Sequence, residues 1–370
     1  MEKKKLKLLV LKMLYNLSYQ CLSVVTRTNK RAVLVSNRSA TLSGNLKALH
    51  KEFMDEQQFE VSVYLFQFER SFIGRLLYFL KSFKVLYYLA SSRVFIIDDY
   101  LFPIYCINKK PDNTVIQVWH AAGTLKKIGL SIPRNRDDIV TPHCNYDWVI
   151  VNQVDDQEAY MEAFNIPRKK ILPLPMPKLK EISKLTKDVK QKQLLYAPTY
   201  RIQNEAAFSE EITKFAEVVT NQLPDWELVI SLHPYVKRTI YFNDSSRIKI
   251  ISTPESIEDY YPTAAILITD YSAAIFEYSF FEQPILLYVP DLELYQEEPG
   301  FYLDIKEYLK APMFKDLSEL VNYIKENDQL YKLDYVKRIK KNIYREELEF
   351  QTANISKLCK RIMYDVTQGN

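Results

Sequence analysis

Glycine is scarce in this chain: 6 of its 370 residues are glycine. The sequence contains neither G-x-G-x-x-G nor G-x-x-x-x-G-K-[ST], the glycine-rich patterns that bind dinucleotides and nucleoside triphosphates. Cysteine is sparse as well, and the 4 cysteines lie far apart without a C-x-x-C pair. This spacing argues against a structural zinc site and a disulfide framework, and it favours a reducing, cytosolic setting.

A strong charge of one sign is also missing. The 50 basic and 46 acidic residues leave a formal net charge of +4, which is too small to indicate nucleic acid as a partner. The predicted ligand-binding regions contain no D-x-D metal motif, and we expect neither a metal nor another cofactor. The sequence carries no readable signal for the oligomeric state.

Uninterrupted apolar runs of membrane-spanning length, roughly 18–20 residues, are absent from the sequence. The N-terminal segment, residues 1–24, begins like a signal peptide with a basic cluster. However, Lys7 and Lys12 interrupt its apolar run, and no small-residue cleavage pattern follows. The segment therefore fits a basic amphipathic helix better than a signal peptide.

A second segment of this kind lies at 72–92 and carries Arg75, Lys81 and Lys84 among leucines and aromatic residues. Amphipathic helices of this composition suit an anionic membrane surface. The alternative is a helix that packs on the core and keeps a solvated basic edge. Because two such segments fall in one predicted domain, we expect contact with a membrane surface.

Short β-rich runs alternate with helical patterns along most of the chain. Continuous apolar strands separated by helices indicate parallel sheets covered on both faces, an α/β fold. A polar stretch at 178–193 divides them into two series, which predicts two Rossmann-like domains with a ligand cleft between them. The predicted parts are the segment 1–24, domains at 25–185 and 186–345, and a C-terminal helix at 346–370. The predicted strands are 31–36, 61–66, 93–98, 114–119 and 148–152, then 193–200, 227–234, 247–252, 265–270 and 284–289.

Reactive side chains recur where predicted strands end. Each one alone is typical of a structural residue, but parallel sheets bind ligands at the carboxyl ends of their strands, so together they predict a site. These residues are His120, Thr199, Arg201, His233, Asp270 and Ser272.

The turn after the strand at 265–269 is a candidate phosphate site. Ser272 is a good N-cap residue, and Glu277 is expected on the polar face of the helix that follows. The N-terminus of a helix offers free backbone N–H groups and the positive end of a dipole, which suit a phosphate. An ordinary strand-to-helix turn explains the same residues.

The stretch QVWHAAGTLKKIG, residues 117–129, holds 2 of the 6 glycines. Gly123 and Gly129 would let the backbone turn tightly after the strand. Lys126 and Lys127 would bring positive charge near His120, which disfavours the protonated imidazole and suits a base. The competing interpretation is that the two lysines form a solvated face.

Several of these stretches together resemble the CDP-glycerol glycerophosphotransferase family, the enzymes of wall teichoic acid synthesis in Gram-positive bacteria. The matching motifs follow the family's order from about residue 31 to 345: LSGNLKALHKEF, WHAAGTLKKIG, LLYAPTYR, LHPY, ITDYSAAIFEYSFFEQPILLY and DLELYQEEPGFYLD. The resemblance implies a glycosyltransferase-B-like fold and a CDP-glycerol or CDP-ribitol donor. It also implies a lipid-linked acceptor of the undecaprenyl type, release of CMP, and a peripheral position on the cytoplasmic face of the membrane.

The resemblance also implies roles for individual residues. His120 would be the general base that deprotonates the acceptor hydroxyl. His233 and Arg201, with the turn at 270–272, would hold the donor pyrophosphate, and Lys126 would stabilise charge near the transferred phosphoryl group. The complete set implied to bind substrate is Asn45, Gly123, Lys126, Thr199, Arg201, Asp270, Tyr271, Ser272 and Glu277.

Two features depart from the family pattern. PMPKLK at 175–180 has Lys178 and Lys180 where the family usually has arginine and aspartate. The histidine loop reads His-Ala-Ala-Gly where many members have His-Gly-Thr, which could alter the choice of acceptor. Two alternatives stay open: a sugar transferase of the same architecture, and a binding protein that has lost turnover.

Overall fold

The computed structural model describes residues 2–57, 59–133, 139–189, 192–201, 205–232, 236, 240, 242, 246–251, 255–326, 330–343 and 354–364. The chain forms two compact units. The first unit comprises Met1–Ala122, Lys127–Glu181 and Glu346–Asn370, and the second comprises Gly123–Lys126 and Ile182–Arg345. The stretch at 117–129 is therefore shared between the units.

The first unit is built on a six-stranded parallel sheet in the order β2-β1-β3-β4-β5-β6. The central strands are apolar and fully buried because helices cover both faces of the sheet. The sequence pattern missed the edge strand β6, which has three residues and ends in proline. The strands are β1 (Asn29–Ser36), β2 (Glu60–Leu65), β3 (Ser92–Ile97), β4 (Thr114–Gln117), β5 (Trp148–Val151) and β6 (Ile171–Pro173).

Helices enclose two apolar layers of the first unit. One layer includes Tyr15, Tyr19 and Leu86 from two long helices, and the other includes Leu46 and Cys359 from a helix near each end of the chain. The helices are α1 (Glu2–Val25), α2 (Gly44–Glu56), α3 (Phe72–Ser91), α4 (Phe102–Tyr105), α5 (Gln157–Phe164), α6 (Pro177–Ile182) and α13 (Ile355–Tyr364), with 3-10 turns at Gly129–Ser131, Val154–Asp156 and Arg168–Lys170.

The second unit has its own six-stranded parallel sheet, ordered β12-β11-β10-β7-β8-β9. Its strands are β7 (Gln193–Ala197), β8 (Glu227–Ile230), β9 (Ile248–Ile250), β10 (Ile266–Thr269), β11 (Ile285–Tyr288) and β12 (Met313–Phe314). Its helices are α7 (Glu205–Gln222), α8 (Ala274–Tyr278), α9 (Leu292–Glu297), α10 (Ile305–Leu309), α11 (Leu317–Glu326) and α12 (Asp334–Ile343), with 3-10 turns at Ile257–Asp259 and Ser279–Phe281. The two predicted parallel α/β sheets and the N-terminal helix are confirmed.

Each strand order reverses direction at one place. In the first sheet the chain leaves β1 for β2 on one side and returns to β3 on the other. In the second sheet β8 and β9 lie on one side of β7, and β10 lies on its other side. Such switch points open a crevice at the carboxyl ends of the strands, and open α/β sheets bind ligands there.

Candidate functional site

His120 follows β4 and lies beside the switch point of the first sheet. Its Nδ1 is 3.1 Å from the backbone oxygen of Asp98, at the end of β3, and its ring stacks on Trp119 with centroids 4.6 Å apart. A carbonyl oxygen only accepts hydrogen bonds, so Nδ1 carries the proton in the neutral ring. This contact fixes the tautomer and leaves Nε2 as the basic nitrogen.

One carboxyl group, paired with an arginine, lies beside this histidine. Asp99 Oδ2 lies 3.9 Å from His120 Nδ1 and 3.2 Å from Nε of Arg38, which follows β1. Burial raises the pKa of Asp99, and the charge of Arg38 opposes that rise. The negative charge of Asp99 would favour the imidazolium that forms when His120 accepts a proton.

A second carboxyl group at the end of β3 belongs to Asp98. It is buried, and its Oδ1 has no hydrogen-bond partner within the described part of the chain. Burial raises the pKa of Asp98 to about 6, with Arg38 opposing and Asp99 adding to the rise. A buried carboxyl oxygen without a hydrogen bond costs stability, and carboxyl groups with shifted pKa values concentrate at functional sites.

Asn45 positions the strand end that leads to His120. Its Nδ2 donates to the backbone oxygen of Trp119 at 2.9 Å, and its Oδ1 accepts from the backbone N–H of Lys178 at 3.0 Å. The side chain is buried, so these contacts tie α2 to the His120 segment and to α6. The substrate contact implied for Asn45 stays a prediction.

The second cluster lies at the switch point of the second sheet, where β7 and β10 end. Asp270 accepts hydrogen bonds from the backbone N–H of Thr199 at 3.0 Å, from its hydroxyl at 2.6 Å, and from Arg201 Nη2 at 2.9 Å. Arg201 also donates Nε and Nη2 to Asp291, which follows β11, at 2.7 and 3.0 Å. This cluster therefore joins the ends of three neighbouring strands through charged hydrogen bonds.

The short segment 123–126 packs in the second unit. Gly123 has φ +70°, and a Cβ added there would lie 2.6 Å from the ring of Phe276, so this position requires glycine. Lys126 forms an isolated antiparallel bridge with Phe301. Burial lowers the pKa of the Lys126 amine, Asp270 opposes that effect, and Arg201 adds to it.

The turn at 270–272 differs from the expected helix N-terminus. The helix α8 begins at Ala274 and runs for five residues, so the turn is followed by a short helix and a 3-10 turn. Ser272 Oγ accepts from the backbone N–H of Ala274 at 3.2 Å, while Ala273 occupies the N-cap position without a side-chain bond. Tyr271 is buried, and its hydroxyl donates to Asp291 at 3.2 Å.

Glu277 and His233 are the two remaining predicted residues. Glu277 was expected on a polar helix face, but it is buried and accepts a hydrogen bond from Tyr261 at 2.7 Å. The expectation is wrong because α8 packs inside the second unit rather than on its surface. His233 lies outside the described residues.

Sequence reasoning missed Arg38, Asp98, Asp99 and Asp291. Each of them lies within four residues of the end of an apolar strand, the same signal that identified His120 and Asp270. In the described ranges, no group of three or more histidine, cysteine or acidic side chains is arranged to hold a metal ion.

Comparison with known proteins identifies the family. The profile described as CDP-glycerol:poly(glycerophosphate) glycerophosphotransferase matches residues 17–362. A teichoic acid ribitol-phosphate primase of Bacillus spizizenii is 30% identical over 346 residues, 86% of this chain and 88% of that protein. A teichoic acid glycerol-phosphate primase of Bacillus subtilis is 33% identical over 258 residues, 65% of this chain and 67% of that protein.

Solved structures agree on the fold. The wall teichoic acid polymerase TagF aligns with a TM-score of 0.73 and 16% identity, over 99% of this chain and 98% of that chain. At 16% identity, this similarity supports the fold but no assignment of activity or substrate. The family match and the primase relatives confirm the resemblance of the motifs: the chain belongs to the CDP-glycerol:poly(glycerophosphate) glycerophosphotransferase family, a family of polyol-phosphate transferases.

Proposed function

We propose that this protein transfers glycerol phosphate or ribitol phosphate from a CDP-polyol to a hydroxyl group of a lipid-linked acceptor in teichoic acid synthesis. The observation that carries the proposal is His120, whose tautomer is fixed by the Asp98 carbonyl beside the Asp99 carboxylate. Family membership and the names of the primase relatives support the choice of substrate. They also support the glycosyltransferase-B-like assignment, which stays a prediction.

In the proposed reaction the acceptor hydroxyl attacks the β-phosphorus of the donor. A new P–O bond forms to the acceptor oxygen, the bond from the β-phosphorus to the bridging oxygen breaks, and CMP leaves with the bonding electrons. The acceptor proton passes to Nε2 of His120, and Asp99 stabilises the resulting imidazolium. Phosphoryl transfer needs mainly positioning and charge stabilisation, so a base and cations suffice without a covalent nucleophile.

The test is release of the donor's nucleotide by the purified protein with CDP-glycerol, CDP-ribitol or nucleotide sugars, each with a defined lipid-linked disaccharide. We expect CMP from at least one CDP-polyol together with a product that contains a new phosphodiester. His120→Asn should lower the rate by a factor of about 10²–10⁴, the usual contribution of a general base. His50→Asn on α2 is the matched control and should keep the wild-type rate.

The outcomes of this assay are distinct. Turnover with a nucleotide sugar and no new phosphodiester would show a sugar transferase. Tight CDP binding without a product from any acceptor would show a binding protein. The choice of polyol and the product length, one unit or many, are read from the same reaction.

We also propose that the protein binds the cytoplasmic face of the membrane peripherally. Among the described residues, one helix, Lys5–Val25, is long and apolar enough to cross a membrane by length and composition alone. One side of this helix packs on the first unit: Tyr15 and Tyr19 are buried, and the Tyr19 hydroxyl donates to Asn113 at 2.5 Å. These contacts support a helix that lies along the surface.

The outer sides of α1 and α3 support lipid as the partner. The two helices pack together through Tyr15 and Phe83, with ring centroids 5.6 Å apart. Both helices also carry basic residues, which attract anionic lipid. The exposed apolar side chains on the two helices include Leu6, Val10, Met13 and Leu17, then Phe72, Ile73, Leu76 and Leu80.

Vesicle co-sedimentation tests the membrane proposal. Phe72 and Ile73, 84% and 67% exposed at the start of α3, are the best positions to change because neither supports the core. Replacing both by glutamate should lower binding to anionic vesicles by about tenfold or more, since apolar area is lost and negative charge is added. Leu294→Glu, at an exposed position of the second unit, is the control. Equal binding of the α3 variant and the wild type would contradict the proposal.

A further inference from the structure

We propose that Asp291 is a positioning residue that holds Arg201 in a clamp. The clamp thereby fixes the loop between β11 and α10, residues 289–304, which includes the short helix α9. This loop positions Lys126, the cation that contacts the donor phosphates. The inference rests on the proposed function, since it assigns the donor's cation within that reaction. It also changes the role that the family resemblance implies for Arg201, from a pyrophosphate ligand to a structural support of the site.

The guanidinium group of Arg201 is already engaged at all three nitrogens. Nε and Nη2 donate to the two carboxylate oxygens of Asp291, Nη2 also donates to Asp270, and Nη1 donates to the backbone oxygen of Thr199 at 2.7 Å. A paired, fork-shaped geometry of this kind holds an arginine firmly in place. Binding a pyrophosphate through Arg201 would require breaking some of these contacts.

Aromatic rings add to the clamp. The Arg201 guanidinium carbon lies 5.0 Å from the ring centroid of Tyr295 and 5.5 Å from that of Tyr271. These two rings are 4.2 Å apart, and the Tyr271 hydroxyl donates to Asp291. Arginine is therefore packed as well as paired, which favours a fixed support over a ligand that must move toward a phosphate.

Lys126 differs from Arg201 in how its charged group is bonded. Its side chain is partly buried, and its amine makes no hydrogen bond or ion pair with the part of the chain that the structure describes. Asp270 and Arg201 both lie close enough to act on it electrostatically. A partly buried cation without an acceptor is costly, and a phosphate oxygen would supply the acceptor.

The loop after β11 connects the clamp to this lysine. Asp291 lies near its start, and Phe301 near its end forms the backbone bridge with Lys126. The next residue, Tyr302, donates its backbone N–H to Leu125 at 3.1 Å. The same loop thus contacts Arg201 at one end and the lysine segment at the other.

Ring packing couples the two ends of this loop. Phe301 packs on Tyr295 with centroids 5.5 Å apart and on Tyr271 at 5.2 Å. Both tyrosines also contact Arg201. If Asp291 no longer held Arg201, the rings that support Phe301 would lose their order, and the position of Lys126 would change with them.

A double-mutant cycle on CDP binding tests the proposal, with Kd measured by calorimetry on the folded full-length protein. Lys126→Met and Asp291→Asn should each weaken CDP binding by about tenfold, a typical loss for a charged contact. In the Lys126→Met background, Asp291→Asn should have little further effect, because its influence passes through the lysine. Asp291→Glu should recover part of the affinity.

The results that would overturn the inference are specific. Unchanged or tighter CDP binding by Asp291→Asn would show that Asp291 does not support donor binding. Equal effects of Asp291→Asn with and without Lys126 would show that the lysine does not transmit them. Failure of the wild-type protein to bind CDP would refute the proposed function as well, whereas either of the first two results refutes only this inference.

Discussion

The two charged clusters lie at corresponding places of their sheets but are held together differently. Around His120, the imidazole contacts a backbone oxygen, and burial raises the pKa of both neighbouring carboxyl groups, Asp98 and Asp99. Around Arg201 nearly every charged atom has a partner. The first arrangement suits a group that gains and loses a proton, and the second suits a support that must not move. The contrast therefore agrees with the proposed division between a residue that reacts and residues that support the site.

The largest expected difference between the clusters is in stability. Arg201→Ala should lower the free energy of unfolding by about 2–4 kcal/mol, because it leaves the buried Asp270 without its charged partner. His120→Ala should cost less than about 1 kcal/mol, since the side chain is partly exposed and leaves no buried charge without a partner. Chemical unfolding followed by circular dichroism measures the loss of stability in both variants. Equal losses would contradict the expected difference between the two clusters.

The glycines on either side of the two lysines offer a second comparison. Gly129→Ala should destabilise the first unit by about 2–4 kcal/mol, because φ is +54° and the added Cβ would lie 2.3 Å from the backbone oxygen of Ala163. Gly123→Ala meets the side chain of Phe276 in the second unit, which moves more easily than backbone. Its cost should be smaller, and thermal unfolding of the two variants would show the order.

The buried Asp98 predicts an unusual pH dependence of stability. Its folded pKa, about 6, lies above the ordinary 3.8, so the folded state binds more protons between these values and loses stability as pH rises through them. Asp98→Asn should therefore be more stable than the wild type by about 1–3 kcal/mol at pH 7 and equally stable near pH 3.

His143, in the first unit, makes stability depend on pH in the opposite direction. It is buried against Phe164 with ring centroids 4.3 Å apart, and burial lowers its pKa from 6.5 to about 3. The unfolded state binds the proton first, so this histidine makes the protein less stable as pH falls below about 6.5. Denaturant unfolding from pH 4 to 8 separates the two residues, and an unchanged pH slope in Asp98→Asn would contradict the first prediction.

The smallest effect is expected from the carboxylate beside His120. Asp99→Asn should slow CMP release by about tenfold, because the imidazolium loses a stabilising charge. CDP affinity should stay at the wild-type value. A comparable loss of CDP affinity would place Asp99 with the residues that bind donor rather than with the base.

The sequence was informative wherever one local signal sufficed. Ten of the strands follow from continuous apolar runs, and His120 and Asp270 follow from their place at strand ends. The sequence pattern did not predict strands β6 and β12, because they have three and two residues and lie at sheet edges. Glu277 shows the limit more clearly, since a helix's inward face depends on what packs around it.

Local sequence signals could not predict which residues pair with each other in the two clusters. Arg201 meets Asp291 across 90 positions of the sequence, and His120 meets Asp98 across 22. Only the order of the strands brings these pairs together. Acidic residues at strand ends are common, so their pairing becomes visible once the sheets are known.

The return of the chain to its first unit affects folding during synthesis. Cys359 and Met363 of α13 complete an apolar layer with Leu46 and Leu49 of α2, which are made some 300 residues earlier. A ribosome therefore finishes the whole second unit before it delivers the helix that closes the first. Nascent chains that stall late should expose that layer and depend on chaperones, although most of the polypeptide already exists.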